Sequence, residues 1–205
     1  MKKISLHTLL LCATLCCMCA WGTSSNIDDY NVAVYTPTHA TGFRIMGADG
    51  KQSTIISVTN PWQSANDVET MLFIARGGEK APAGFRGQVL HGDALRVVCM
   101  SSSHIAMLDA IGAVEHVVGV SGKSFITNPY IVANQRTIAD VGYDGNINFE
   151  LLVAQQPDIV LLYGVTGACT MQSKLDELGI PYIYIGEYVE QDPIHRVWIA
   201  WYMRP

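Results

Sequence analysis

Five short apolar runs recur at intervals of about 20 residues in the second half of the chain. They begin near Val97, Val117, Thr137, Ile159 and Tyr182. These runs do not alternate between apolar and polar residues, and a strand without such alternation is buried on both faces of a sheet. Helical patterns fill the intervals, and strands that alternate with helices form parallel βαβ units. The sequence therefore predicts an α/β fold class, with a parallel sheet of four or five strands flanked by helices.

Cap residues mark the helices between these strands. The predicted helices are one capped by Ser103 that carries Ile105, Leu108 and Ile111, one capped by Asn146 or Asn148 that runs to Gln155, and one over Met171–Leu178 that ends at Gly179.

Residues 23–95 have a different pattern and predict a small β-rich extension. Strands are expected at Thr41–Met46, Ser53–Thr59 and Met71–Ala75. The sequence Asn60-Pro61-Trp62 ends the second of these strands, because proline cannot continue a hydrogen-bonded ladder.

Residues 1–22 have the layout of an export signal, with Lys2 and Lys3 followed by a short apolar stretch and small residues. Cys17 and Cys19 are candidates for lipidation, and the alternative is an ordinary signal peptide whose cysteines are apolar filler. Cys99 and Cys169 remain in the mature chain. An oxidising compartment permits a disulfide between them, whereas a buried free thiol is the alternative for Cys99.

Charge and hydropathy exclude some classes of partner. The chain carries 13 Lys and Arg against 18 Asp and Glu, a net charge of −5, and no basic block. Binding to nucleic acid needs clustered cations, so nucleic acid is not the predicted partner. After the first 22 residues no apolar run reaches about 18 residues, so the mature chain is not expected to span a membrane.

Polar and aromatic residues follow each predicted parallel strand. Ligands bind at the carboxyl ends of the strands in sheets of this kind. Hydroxyl groups, helix-start amides, tyrosines and a lysine suit a polar ligand that is held by hydrogen bonds and aromatic contacts. The candidate ligand-binding residues are Ser101, Ser102, Ser103, His104, Lys123, Tyr143, Tyr163 and Glu187.

Catalytic and metal motifs are not found. The turn after the first strand is Ser101–Ser103 and not a glycine-rich dinucleotide loop, and the sequence contains no P-loop, nucleophile elbow or H-E-x-x-H. The six histidines are scattered, so neither a catalytic residue nor a metal site is predicted. The competing enzyme hypothesis is an exported α/β enzyme with His104 as the base near Ser101–Ser103.

Several motifs carry a family resemblance in a fixed order. They are Arg96–His104, Val117–Val120, Asp140–Tyr143, Asn148–Leu152, Gln156–Val160 and Leu178–Pro181. This order resembles the periplasmic substrate-binding proteins of ABC importers for siderophores, haem and cobalamin. The extension with Asn60-Pro61-Trp62 is similar to that of exported iron-chelate binders of Bacteroidetes-type bacteria.

The resemblance implies the first lobe of a two-lobed protein whose lobes are joined by one long helix. It implies a monomer in the periplasm that uses no cofactor and binds an iron or cobalt chelate, and a lipid anchor and a freely diffusing form are the two alternatives. It also implies an ABC permease in the inner membrane as partner, with Glu150 docking onto the permease.

The sequence departs from the family after residue 192. Residues 96–192 read as the first lobe, whereas residues 193–205 are an apolar tail rich in Trp and Tyr. We expect a truncated or frame-shifted product that lacks the second lobe. A non-functional remnant and a single-lobe adhesion or scaffold lipoprotein are the remaining alternatives.

Overall fold

The chain folds around two five-stranded sheets. The structure is a computed structural model that describes residues 25–37, 40–143, 145–186 and 188–189. The first sheet contains β1 (Val32–Tyr35), β2 (Phe43–Gly47), β3 (Thr54–Thr59), β4 (Glu69–Ala75) and β5 (Gln88–His91). The strands lie in sequence order; β1 to β4 are antiparallel neighbours, and β5 runs parallel to β4.

The second sheet is parallel throughout. The later strands are β6 (Val97–Cys99), β7 (Val117–Val120), β8 (Ala139–Asp140), β9 (Gly142–Tyr143), β10 (Asn146–Ile147), β11 (Ile159–Leu162) and β12 (Tyr182–Tyr184). Five of them form the sheet in the order β12-β11-β6-β7-β8, and β9 pairs with β10 as a separate antiparallel ribbon. The predicted α/β fold with a parallel sheet and a β-rich region before it is confirmed.

Four α-helices connect these strands within the described residues. They are α1 (Ser102–Ala110), α2 (Pro129–Ala133), α3 (Phe149–Ala154) and α4 (Gln172–Leu178). Short 3-10 helices lie at Ile27–Asp29, Val114–His116 and Lys123–Phe125. No helix of the described part of the chain is long and apolar enough to cross a membrane.

Two of the predicted caps are correct and one is displaced. Asn148 caps α3, and its Oδ1 accepts a hydrogen bond from the amide of Leu151 at 2.9 Å. Gly179 ends α4 in the left-handed conformation, with φ of 64°. The predicted cap at Ser103 is wrong: Ser101 caps α1, and Ser103 lies within the first turn, where its amide donates to Ser101 Oγ at 3.3 Å.

Alternate residues of the parallel sheet face opposite sides. One set packs with α1 and with the first sheet; it includes Val97, Cys99, Ile159, Leu161 and Ile183. The other set packs with α3 and α4 and includes Val98, Val160, Leu162, Tyr182 and Tyr184. Since both faces are covered, β6, β11 and β12 carry apolar or aromatic residues at every position, as the absence of alternation predicted.

The first sheet is not isolated from the parallel sheet. Phe43, Ile45, Ile56 and Leu72 belong to the same buried cluster as Val97 of β6, and β4 lies beside β12. The sequence pattern located β2, β3 and β4 to within about two residues but did not predict β5. Residues on both sides of the predicted domain boundary at residue 95 share one core. The boundary itself remains a prediction.

Candidate functional site

The connectivity of the parallel sheet creates a switch point between β6 and β11. The chain passes from β6 to β7 and β8 on one side, then returns to place β11 on the other side of β6. Helix α1 packs on one face of the sheet through Ile105 and Leu108, whereas α4 packs on the opposite face through Leu175. The connections that follow β6 and β11 therefore diverge, and a crevice of this kind is where open α/β sheets bind ligands.

The three serines lie on the β6 side of the switch point. Ser101 and Ser103 are half-buried and their hydroxyl oxygens are 2.6 Å apart, while Ser102 is exposed. Ser101 Oγ also accepts from the amide of Ser103, so its first role is to begin α1. A polar ligand at this edge would meet the Ser102 hydroxyl and the first turn of a helix.

His104 does not share this exposure. Its side chain lies inside the protein with 0% of its surface accessible. The imidazole is therefore not at the surface of the lobe in this structure. The predicted ligand contact of His104 and its role as a base in the enzyme hypothesis stay predictions.

The ammonium group of Lys123 is hydrogen-bonded to backbone carbonyls of the protein. Its Nζ donates to the carbonyl oxygens of Gln135 at 2.8 Å and Ile138 at 2.9 Å. Its amide donates to Asp140 Oδ2 at 3.1 Å. The ammonium group has three N–H bonds, and these contacts use two of them. Together the contacts of Lys123 join the segment after α2 to the ends of the strands. The predicted ligand contact of Lys123 stays a prediction.

Tyr143 and Glu150 line one open depression at the β7–β8 end of the same edge. The depression has a volume of about 730 Å³ and is also lined by Phe125, Asp140 and Phe149. The side chain of Phe125 is 84% exposed and that of Tyr143 is 60% exposed. Such exposed aromatic faces offer a ligand a flat apolar surface next to polar groups.

Glu150 lies in the first turn of α3 and is exposed. Asn148 caps the helix two residues earlier, and a carboxylate at this position is favoured by the helix dipole. Glu150 thus presents its carboxylate at a helix start on the protein surface, where a partner protein can reach it.

Tyr163 lies on the β11 side of the switch point. Its ring is half-buried and its centroid is 5.6 Å from that of Tyr188, which is 45% exposed. Glu187, predicted as a ligand contact, lies outside the described residues, as do the lipidation candidates Cys17 and Cys19.

Trp62 reaches the same edge from the first sheet, and the sequence pattern did not identify it as part of the site. Its ring centroid is 5.3 Å from that of Tyr184. The Tyr184 hydroxyl donates to Gln172 Oε1 at 2.9 Å and accepts from the amide of Cys169 at 2.8 Å. Burial raises the pKa of Tyr184, which stays a neutral hydrogen-bonding group. No local pattern indicates a contact between residues so distant in sequence.

Neither of the two described cysteines is in a disulfide. Cys99 is buried, and burial raises the pKa of its thiol, whereas Cys169 is partly exposed. Among the residues that the structure describes, no group of three or more His, Cys, Asp or Glu side chains is placed to hold a metal ion.

Fold and edge together define a class: an α/β lobe with an open edge at the carboxyl ends of parallel strands. Residues 97–183 match the family model described as periplasmic binding protein. The resemblance predicted from the sequence motifs is thereby confirmed for this segment. The family is one of binding proteins.

Individual proteins also match part of the chain. An uncharacterized lipoprotein of Methanocaldococcus jannaschii is 30% identical over 125 residues, which is 57% of this chain and 30% of that protein. A periplasmic haem-binding protein of Pseudomonas aeruginosa is 23% identical, with a TM-score of 0.37 over 45% of this chain and 31% of its own. A molybdate periplasmic binding protein of Haemophilus influenzae is 22% identical, with a TM-score of 0.41 over 49% of this chain and 32% of its own. The chain thus spans about a third of the length of these proteins.

Proposed function

We propose that this chain carries the ligand-binding lobe of an exported solute-binding protein. Its ligand is a metal chelate of the iron–siderophore, haem or cobalamin type, which it delivers to an ABC permease. The observation that supports this most is the switch point, because the serine hydroxyls follow β6 and Tyr163 follows β11, the two strands on either side of it. The match of residues 97–183 to the periplasmic binding protein family supports the same role.

The depression at the β7–β8 end of the same edge favours a chelate with an organic surface. Phe125 and Tyr143 expose aromatic rings, and Asp140 and Asn146 add polar atoms to the same lining. A chelate combines flat apolar surface with polar groups at its rim, so both kinds of contact are used.

Titration of the 205-residue chain with chelates tests the proposal. The probes are haemin, a ferric hydroxamate and cyanocobalamin, and binding is followed by absorbance and calorimetry. We expect one of them to bind, and Phe125→Ala and Tyr143→Ala each to weaken that binding about tenfold. Both side chains are exposed, so neither change should unfold the lobe.

Leu95→Ala is the matched control for these variants. Leu95 is also an exposed apolar residue, with 52% of its surface accessible, but it precedes β6 and lies at the amino ends of the strands. This variant should keep the wild-type affinity. Absence of binding by all three chelates to the wild-type chain would contradict the proposed ligand class.

Glu150 is the proposed contact with the permease. Its exposed position in the first turn of α3 makes its carboxylate available to arginines of a partner. Uptake of a radioactive iron chelate by cells with the cognate permease should fall in Glu150→Arg and not in Glu115→Arg. Glu115 is an equally exposed acid that precedes β7 at the opposite end of the sheet. Chelate affinity is measured in both variants, and a parallel loss of affinity would assign Glu150 to the ligand site instead.

Export and lipid anchoring are part of the same proposal. The charged start and apolar stretch of residues 1–22 support export, and the Methanocaldococcus jannaschii relative is described as a lipoprotein. Cys17→Ser and Cys19→Ser, made singly and together, should identify the modified residue. If the membrane-bound fraction and labelling with radioactive fatty acid are unchanged in the double variant, neither cysteine is an anchor.

A further inference from the structure

One loop of the first sheet lies against the proposed ligand edge of the second sheet. Residues 60–67, here named the 60–67 loop, connect β3 to β4. The amide of Gln63 donates to the carbonyl oxygen of Val165 at 2.9 Å. Pro61 is buried, and its Cα would lie 4.0 Å from a Cβ at Gly186. The loop therefore contacts the segments that follow both β11 and β12.

Trp62 packs against Gly164, which follows β11. A Cβ at Gly164 would lie 3.0 Å from Trp62 Cβ and 3.1 Å from Trp62 Cε3, so the indole packs directly on the glycine backbone. The indole also meets the buried ring of Tyr184 edge to face, at an interplanar angle of 64°. Gly164 directly follows Tyr163, so Trp62 supports the backbone that carries the proposed aromatic ligand contact.

The 60–67 loop is held in one shape by its own backbone. Asn60, Ser64 and Asp67 have positive φ values of 49°, 65° and 57°, although none is glycine. Asn60 holds Val68 by two hydrogen bonds, and the amide of Ala65 donates to the carbonyl oxygen of Trp62 at 3.2 Å. Residues other than glycine rarely adopt positive φ values unless surrounding contacts enforce them. Such residues are concentrated at functional sites.

We propose that Trp62 is a positioning residue for the ligand. It presses on Gly164 and Tyr184, and it thereby fixes the segment 163–165 in the orientation that receives the chelate. The N-terminal sheet then acts as one wall of the site and not only as an appendage. This inference rests on the proposed function, because it assigns Trp62 a role in that same site.

Substitution of Trp62 separates positioning from general stability. Trp62→Leu removes the ring, Trp62→Phe retains an aromatic ring, and Phe85→Leu is the matched control. Phe85 is a half-buried aromatic residue of the same sheet region that contacts Phe73, at 5.9 Å between ring centroids, away from the strand ends. All variants are made in the 205-residue chain.

Hydrogen exchange and haemin, ferric hydroxamate and cyanocobalamin titrations are then measured on each variant. In Trp62→Leu we expect amide exchange at Gln63 and over residues 163–168 to rise about tenfold, and chelate affinity to fall about tenfold. Trp62→Phe should restore most of the exchange protection and most of the chelate affinity. Phe85→Leu should lower the melting temperature without changing amide exchange at these residues or chelate affinity.

Two results would overturn the inference. Unchanged exchange over residues 163–168 in Trp62→Leu would mean that the indole does not hold this segment. Raised exchange with wild-type affinity would mean that the segment is held but does not position the ligand. If the wild-type chain binds none of the three chelates, the proposed function fails, while the exchange data still decide whether Trp62 fixes the segment.

Discussion

Glycine 142 shows how one missing side chain shapes the ligand edge. Its φ is 86°, and a Cβ at this position would overlap the carbonyl oxygen of Asn146 in the paired strand β10. The ribbon of β9 and β10 can close only because residue 142 is a glycine. Tyr143 follows directly, so this close approach also determines where the exposed tyrosine ring is presented.

Replacement of Gly142 by alanine should therefore destabilise the protein strongly. Gly145 is the matched control, because it has a φ of 85° but nothing within 4 Å of an added Cβ. We expect Gly145→Ala to cost about 1 kcal/mol of unfolding free energy, from backbone strain alone, and Gly142→Ala about 3 kcal/mol or more. Urea denaturation measures both. Equal costs would show that the strand contact adds nothing to the strain.

Glu79 anchors the turn before β3 by its charge. Its carboxylate accepts from the amides of Gln52 at 3.1 Å and Ser53 at 3.2 Å. Burial acts to raise the pKa of Glu79, but these hydrogen bonds and that of the Ser53 hydroxyl, together with nearby Lys51, outweigh it and hold the pKa below its ordinary value of 4.5. The ionised form is thus favoured by the fold.

Acid should weaken the protein through this carboxylate. A lowered folded pKa contributes stability that is present above the unfolded value of 4.5 and is lost as pH falls through the folded value. Denaturation of the wild type and of Glu79→Gln, followed from pH 7 to pH 3, should show a smaller loss in the variant. Parallel curves would contradict the role of Glu79.

Among helices and strands, the caps connect the fold to the site. Ser101, Asn128 and Asn148 each begin a helix by accepting amide hydrogen bonds with the side chain. Ser101 begins its helix at the carboxyl end of β6, and Asn148 begins α3 just after β10. The same residues that start α1 and α3 therefore also present Ser102 and Glu150 at the surface.

Removal of the Asn148 cap should loosen α3. Asn148→Ala leaves the amide of Leu151 without its 2.9 Å partner and should cost about 1 kcal/mol of unfolding free energy. Asn148→Asp keeps an oxygen in place and should remain within a few tenths of the wild type. Urea denaturation and hydrogen exchange at Leu151 test both variants. An alanine variant as stable as the wild type would rule out a contribution from this cap.

For the protein as a unit, the contact between its two sheets is decisive. Residues of both sheets belong to one buried apolar cluster, and hydrogen bonds to Asp176 also join them. Gln88 Nε2 donates to Asp176 Oδ1 at 2.9 Å, and the Tyr182 hydroxyl donates to Asp176 Oδ2 at 3.3 Å. The two sheets are thus expected to unfold together, because neither covers its own apolar face.

Alkaline pH should weaken this contact. Burial, together with the hydrogen bond to Asp176, raises the pKa of Tyr182 from its ordinary value of 10.0 to about 12. A raised folded pKa contributes stability that is complete below pH 10 and is lost as pH rises towards 12. The unfolding free energy of the wild type should therefore fall between pH 8 and pH 11, and Tyr182→Phe should lose less over that range. Urea denaturation at both pH values measures this, and an equal loss in the variant would contradict the prediction.

Local patterns were sufficient for the elements that the chain builds from its own neighbourhood. The apolar runs predicted the parallel strands, and Asn148 and Gly179 marked the start of α3 and the end of α4, because burial periodicity and capping depend on residues a few positions apart. The motifs from residue 96 onwards likewise predicted the resemblance that the periplasmic binding protein model matches over residues 97–183.

Tertiary structure alone decided how the site is assembled. It buries His104, directs Lys123 to the carbonyls of Gln135 and Ile138, and brings Trp62 against Gly164. Each of these outcomes depends on packing between segments that are separate along the chain, and no local pattern of residues reports which distant surface will cover a side chain. The sequence by itself thus determined the class of fold and predicted the edge proposed to receive a ligand, whereas the packing of the two sheets decided which side chains reach that edge.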